Sequence, residues 1–266
     1  MAEARPLDLA DARILVTNDD GVHAPGLRVL EGIARQLSDD VWTVAPETEQ
    51  SATSHSLTVR RPLRLRQLGE RRYSVDGTPT DCVVVAVAKV LADRKPTLVL
   101  SGINMGSNLA EDVTYSGTVA AAMEAALIGL PAIALSMMRR GDHDFRWETP
   151  EAHAPEVIRR ICAVGFAPDT LVNVNFPDRQ PDAVQGVRVA RQGRRDVQTE
   201  VVEGTDPGGR PYVWIGDYMR DDTLDGDTDL AAVRDGYVAI TPLHLDLTQR
   251  TLLQPLIDAF AGGARR

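Results

Sequence analysis

The chain has 266 residues, enough for one large domain or a core domain with an appendage. With 43% hydrophobic and 25% charged residues, its make-up is that of a folded globular protein, not a disordered or fibrous one. A formal net charge of -9 argues against binding long nucleic acid through a broad basic surface, and no apolar run reaches the roughly 18–20 residues of a membrane span.

In chain order, Met1 to Ala12 is polar and acidic, unlike a signal peptide, and reads as a flexible N-terminal extension (1–12) to a single α/β domain over 13–266. Arg13 to Thr17 is a strand, Gly26 to Leu37 has helical periodicity, and Val41 to Ala45 is an apolar strand closed by Pro46. From Ser56 to Val75 the residues Leu57, Val59, Leu63 and Leu65 alternate with polar ones, the pattern of a hairpin flanking the sheet. Thr80 to Leu91 reads as a helix after a Thr78-Pro79 start, because proline suits the first helical position. Leu98 to Leu100 is a buried strand. Gly117 to Ile128 is an Ala-rich helix stopped by Gly129 and Pro131, and Ala132 to Ser136 is again a strand. Such alternation predicts a mostly parallel sheet with helices on both faces. Pro150 to Val164 follows as a helix capped by Thr149, then Leu171 to Phe176 as a strand. Cys82 and Cys162 each fall in a helix and read as small buried hydrophobes of a reducing compartment, which points to the cytoplasm. Gln192 to Asp229 is polar and Gly-rich, with short strands such as Tyr212 to Ile215. It packs little apolar surface by itself, so it leans on a partner, protrudes, or is a mobile surface loop. Tyr237 to Thr241 is a strand and Thr251 to Phe260 a helix.

Ligands in open α/β sheets bind at the C-terminal ends of the strands, and three polar loops leave such ends here. The first presents Asn18, Asp19, Asp20 and His23. Two carboxylates about 4 Å apart repel by about 4 kcal/mol at an effective dielectric near 20, so adjacent acids in a cleft call for a cation or a proton. A plain turn is the alternative reading of Asn18-Asp-Asp-Gly21. The second loop runs from Pro46 to His55 and holds Ser51. The third runs from Ser101 to Asn108 and on to Tyr115-Ser-Gly-Thr118, with Asn104 and Asn108 as neutral oxygen donors. Ser116, Gly117 and Thr118 open a helix whose free N–H groups make an anion site, a use compatible with Ser116 being a cap. Asp19, Asp20 and Asn104, with Ser51 as a further candidate, suit Mg²⁺ or Mn²⁺ and not zinc. A hard cation beside an anion-binding helix start suggests phosphoryl chemistry. No Gly-x-Ser-x-Gly elbow, P-loop, Gly-x-Gly-x-x-Gly after the first strand or His-Glu-x-x-His occurs. His23 and His55 read as a general acid, as substrate-orienting groups or as structural residues. Trp147 and Trp214 sit in polar surroundings where a nucleobase could stack.

Together, Ile14-Leu-Val-Thr-Asn-Asp-Asp-Gly-Val-His-Ala-Pro-Gly26, Ser51 with Ser54-His-Ser-Leu-Thr58, Ser101-Gly-Ile-Asn-Met-Gly-Ser-Asn108, Tyr115-Ser-Gly-Thr-Val-Ala-Ala-Ala122 and Thr241-Pro-Leu-His-Leu-Asp-Leu-Thr248 resemble the SurE family of survival-protein nucleotidases. The resemblance implies a metal-dependent phosphatase that hydrolyses nucleoside 5′- and 3′-monophosphates by metal-activated water and, in some members, short-chain polyphosphate. It places one divalent ion, Mg²⁺ or Mn²⁺, on Asp19, Asp20, Ser51 and Asn104. Expected catalytic residues are Asp19, Asp20 and Asn104, with Asp20 or a second water taking the proton. Expected phosphate contacts are Ser116, Gly117, Thr118, Asn108 and His23. The family also implies a Rossmann-like core with a protruding β-rich C-terminal extension, and a homodimer or homotetramer with exchanged C-terminal segments, 192–229 being the oligomerisation segment. One rival is an aspartyl-phosphate phosphatase, against which Asn18 stands where Asp-x-Asp needs its first acid. The other is a non-catalytic nucleotide-binding protein.

Overall fold

The computed structural model of the chain describes residues 4–221 and 226–261. The first half runs β1 (Arg13–Thr17), α1 (Pro25–Arg35), β2 (Asp40–Pro46), β3 (Leu65–Gly69), β4 (Arg72–Val75), α2 (Pro79–Val85), β5 (Leu98–Met105) and α3 (Gly117–Leu127). The second half adds β6 (Ala132–Met137), α4 (Glu148–Val164), β7 (Thr170–Phe176), β8 (Val187–Val189), β9 (Asp196–Thr205) and β10 (Pro211–Asp221). It closes with α5 (Asp229–Arg234), β11 (Val238–His244) and α6 (Arg250–Ala261).

Alternation along the central strands creates two apolar faces, and each recruits its own helices. Ile14 and Val16 of β1 join Leu98 and Leu100 of β5 in a core shared with Leu27, Leu30 and Ile33 of α1 and Val157, Ile158 and Ile161 of α4. Leu15 and Val99 face the other way, into a core with Cys82 and Val83 of α2 and Val119, Ala121, Ala122 and Ala125 of α3. The small side chains of α3 let it lie close to the sheet, and full burial of a Leu or Ile in either core contributes about 1.5–3 kcal/mol. Nine strands pair in the order β3-β4-β2-β1-β5-β6-β7-β11-β8. From β4 through β7 every neighbouring pair is parallel, whereas β3 and β11 run antiparallel to β4 and β7. This is the expected α/β architecture. The chain leaves β1 toward β2 on one side and returns to β5 on the other, so the topological switch falls between β1 and β5.

Several elements differ from their predicted bounds. The strand expected at Leu98 to Leu100 continues to Met105, through an irregularity between Ser101 and Asn104, so Asn104 belongs to a strand and not a loop. The helix α2 keeps its Thr78 cap, completed by a capping box with Asp81, but ends at Val85 and passes into one π-type turn, Ala86–Val90. Of the 56–75 stretch only β3 and β4 are strands, and they form a sheet edge. Thr149 is not a cap: α4 starts at Glu148 after Trp147, and the Thr149 hydroxyl instead donates to the Arg179 carbonyl. Arg5 and Leu7 are fastened at the C-terminal end of α4, with Arg5 N–H on the Phe166 carbonyl at 3.1 Å and Leu7 N–H on that of Cys162 at 2.9 Å. In the C-terminal half β9 and β10 pair as a separate two-stranded antiparallel sheet; residues 222–225 lie outside the described residues. Its base is tied down by Arg195, which reaches Glu111 at 2.8 Å and Asp112 at 2.9 Å.

Candidate active site

The switch point gathers the three polar loops. Asp19 lies one residue beyond the end of β1, after Asn18, and is 4% exposed, while Asp20 is half-buried beside it. The second loop is tied to this turn by Gln50 N–H on the Asp19 carbonyl at 2.8 Å. The third loop is tied by Met105 N–H on Asp20 Oδ2 at 3.3 Å. Loops two and three also meet each other, because Ser54 donates its N–H to the Tyr115 carbonyl at 3.1 Å and its hydroxyl to that of Thr114 at 2.8 Å.

The start of α3 closes on Asp19 from the opposite face. Thr118 donates its hydroxyl to Asp19 Oδ1, with its main-chain N–H also supporting the carboxylate. Gly117 permits this approach: a Cβ there would stand 2.8 Å from Asp19 Cβ and 3.0 Å from its Oδ2. Ser116 is the helix cap, its Oγ accepting Val119 N–H at 3.0 Å. The start of α3 therefore faces the carboxyl of Asp19 in the favourable field of a helix N-terminus.

Burial pushes the Asp19 carboxyl up despite those bonds. It raises Asp20 to about 7, with the charges of Asp19 and Glu49 adding to the effect. None of the ion pairs among the described residues involves either acid. Asn104 donates its Nδ2 to the Gly106 carbonyl at 2.9 Å, which leaves its Oδ1 without a donor among the described residues. Asn18 Oδ1, Thr17 Oγ1 and Ser101 Oγ are buried here and lack hydrogen-bond partners. Ser51 is exposed and donates to Glu49 at 2.8 Å, on the loop that Gln50 fastens to Asp19. Among the described residues no three His, Cys, Asp or Glu side chains converge as a metal cluster. The donor set is two carboxylates, an amide and a hydroxyl, which fits a hard cation of the Mg²⁺ or Mn²⁺ kind.

Other expected residues take different places. Asn108 is buried in a polar network: its Nδ2 donates to Ser136 at 2.8 Å, its N–H to Asn175 at 2.8 Å, and its carbonyl accepts from Asn173 and Asn175. His23 is exposed, and no hydrogen bond among the described residues engages its ring. His55 Nε2 meets Glu124 at 3.0 Å, holding the second loop against α3. Trp147 stacks on Phe145 with centroids 5.2 Å apart and packs against the core, whereas Trp214 stays 66% exposed on β10. The sequence reading missed the Thr118 hydroxyl as the partner of Asp19, the Met105 N–H as that of Asp20, and the nearby charge of Glu49. A threonine just after a helix start carries no such signal until the fold brings it to β1.

The fold and site thus define a doubly wound α/β protein with an acidic, all-oxygen centre at its switch point. Similarity to known proteins narrows the class. The family model described as Survival protein SurE matches residues 14–199. The 5'-nucleotidase SurE of Paramagnetospirillum magneticum is 55% identical over 253 residues, covering 95% of this chain and 97% of its own. That of Erythrobacter litoralis is 52% identical over 250 residues, covering 93% and 99%. The crystal structure of the SurE protein from Aquifex aeolicus superposes with a TM-score of 0.81 at 38% identity, over 92% of this chain and 98% of that one. This chain belongs to the SurE family.

Proposed function

We propose that the protein is a metal-dependent 5′-nucleotidase that hydrolyses nucleoside 5′- and 3′-monophosphates to nucleoside and phosphate. The observation that carries this reading is the adjacent pair Asp19 and Asp20 at the switch point of the sheet, Asp19 held by the start of α3 and Asp20 by the Met105 N–H of β5. Relatives at 50–55% identity named 5'-nucleotidase SurE support it. Asp19, Asp20, Ser51 and Asn104 would hold one Mg²⁺ or Mn²⁺. When bound, such an ion polarises the phosphoryl group and makes water a better nucleophile at neutral pH. The chain's own residues orient and exclude. Thr118 and Gly117 fix the Asp19 carboxylate, Met105 N–H fixes one oxygen of Asp20, and Asn104 keeps its amide oxygen turned from Gly106. Phosphate contacts are assigned to the Gly117 and Thr118 helix start, framed by Ser116 and the Asn108 network, with His23 at the exposed mouth. Asp19→Asn should abolish Mn²⁺-dependent phosphate release from a nucleoside monophosphate while the thermal transition persists; turnover at the wild-type rate would sink the assignment.

Self-association is part of the same reading. The helix α6 buries none of its residues, and Leu252, Leu253, Leu256, Ile257 and Phe260 are all exposed on it. On β10, Val213, Trp214 and Ile215 are exposed as well. Apolar surface of this extent favours a homodimer or homotetramer in which C-terminal segments pack on, or exchange with, a second copy. Light scattering of the full chain should give an assembly, and a monomer at micromolar concentration would refute it. The two buried free thiols fit a reducing cytoplasm. Among the described residues, no helix is long and apolar enough to cross a membrane.

A further inference from the structure

The edge of the sheet that carries the acidic centre also carries a basic cavity. It has a volume of about 220 Å³ and lies where β6 and β7 end beside α5, lined by Met138, Arg140, Asp178, Arg179, Val233 and Arg234. Three arginines around one cavity stand out in a chain whose net charge is -9. The single carboxylate in the lining is already saturated. Asp178 Oδ2 accepts Arg140 N–H at 2.7 Å and His143 Nε2 at 3.0 Å, and its Oδ1 accepts Arg146 Nε at 3.1 Å. Asp142 and Asp144, on the same loop as Arg140, are exposed and do not line the cavity. Arg234 pairs with Asp235 at 3.1 Å, but among the described residues no carboxylate pairs with the guanidinium of Arg140 or Arg179. The Arg179 side chain is directed across the turn after α5, since a Cβ on Gly236 would lie 3.4 Å from its Nε.

The cavity is near the acidic centre without being part of it. Met105, whose N–H reaches Asp20, pairs with Met137 of β6, and Met137 pairs with Phe176 of β7. Two strand spacings of about 4.8 Å place the cavity roughly 10 Å along the edge from the acids. Guanidinium forks match phosphate oxygens two at a time. We propose that the Arg140, Arg179 and Arg234 cavity is a second phosphate subsite, which takes the remote phosphoryl group of a substrate carrying two, such as a nucleoside 3′,5′-bisphosphate. The substrate part rests on the nucleotidase reading above; the anion site itself does not.

Two measurements test it. Inorganic phosphate is titrated calorimetrically into EDTA-treated protein, in which the acidic centre repels anions. It should bind the wild type and bind the double variant Arg140→Ala/Arg179→Ala about tenfold more weakly or worse, because two charge-assisted forks are gone. The Lys pair at the same positions keeps the charge without the forks and should fall between; equal melting temperatures of the variants exclude misfolding as the cause. Absence of binding to the wild type, or equal binding to the Ala variant, overturns the site. Next, kcat/KM is compared for a nucleoside 5′-monophosphate and its 3′,5′-bisphosphate with the Mn²⁺-loaded enzyme. The preference for the bisphosphate should be about tenfold in the wild type and vanish in the Ala variant, with the monophosphate value unchanged. An unaltered preference overturns the substrate assignment and marks the cavity as a site for free phosphate. If the wild type releases no phosphate from the monophosphate, the nucleotidase reading fails, and the calorimetric result still decides the cavity.

Discussion

Gly117→Ala tests whether close approach of a helix start is what holds the acidic centre together. The added methyl would meet Asp19 Cβ at 2.8 Å, Asp19 Oδ2 at 3.0 Å and Pro79 Cγ at 3.1 Å. Carbon atoms settle at about 3.5–4.0 Å, so Asp19 must retreat by roughly 0.7 Å or more. It cannot do so freely, being buried, bonded by Thr118 and pinned through its carbonyl by Gln50. Overpacking costs about 1–3 kcal/mol, offset by about 0.4–1 kcal/mol from the narrower unfolded ensemble of alanine. The net expectation is a loss of about 0–2.5 kcal/mol in stability. The larger effect falls on the metal: misplacing a ligand through its support typically costs about 10–100-fold in affinity. Gly32→Ala is the control, because nothing lies within 4 Å of its would-be Cβ inside α1, and it should stabilise by about 0.5–1 kcal/mol. The assay is thermal unfolding of both variants, with phosphate release titrated against Mn²⁺. If Gly117→Ala stabilises like Gly32→Ala and keeps wild-type Mn²⁺ dependence, the close approach plays no part in holding Asp19.

Thr118→Val removes the hydroxyl donor from Asp19 and should raise the Mn²⁺ concentration for half-maximal activity about 10–100-fold, whereas Thr118→Ser should restore it; equal behaviour of Val and wild type would refute the support role. Because burial, and then the charge of Asp19, lifts Asp20 from 3.8 to about 7, folded metal-free protein binds a proton there that the unfolded chain releases. The contribution of Asp20 to stability in EDTA is thus fullest below pH 4, is lost as pH rises through 7, and is recovered above 7 by added Mn²⁺. Apparent Mn²⁺ affinity should fall about tenfold per pH unit below 7, and a flat affinity from pH 5 to 8 would contradict this. Arg195→Met strands Glu111 and Asp112 at the base of the β9–β10 sheet and should cost about 3 kcal/mol in urea unfolding, the low end for a buried pair because both acids keep some solvent. A change below about 1 kcal/mol would mean that the pair is not an anchor.

What the sequence determined by itself was local or periodic. The short apolar runs Ile14 to Val16 and Leu98 to Leu100, alternating along the chain with helical stretches such as Leu27, Leu30 and Ile33, specified parallel strands with helices on both faces, since each apolar face must be covered. The adjacent Asp19 and Asp20, Asn104 (read as a loop residue) and the Ser116-Gly117-Thr118 helix start were legible as candidates because each is a short motif with its own chemistry. Tertiary structure alone decided how they are used. Thr118 and Asp19 are 99 residues apart, and Met105 and Asp20 are 85 apart. Such pairings depend on which strand lies beside which, a matter of global topology that no local window contains. Likewise Thr149 looked like a cap until packing turned its hydroxyl to the Arg179 carbonyl, and the arginine cavity exists only because β6, β7 and α5 end side by side. Burial has the same origin. It changes Asp20 from an ordinary surface acid into one with a pKa of about 7, and burial is a property of the packed sheet and not of the residue.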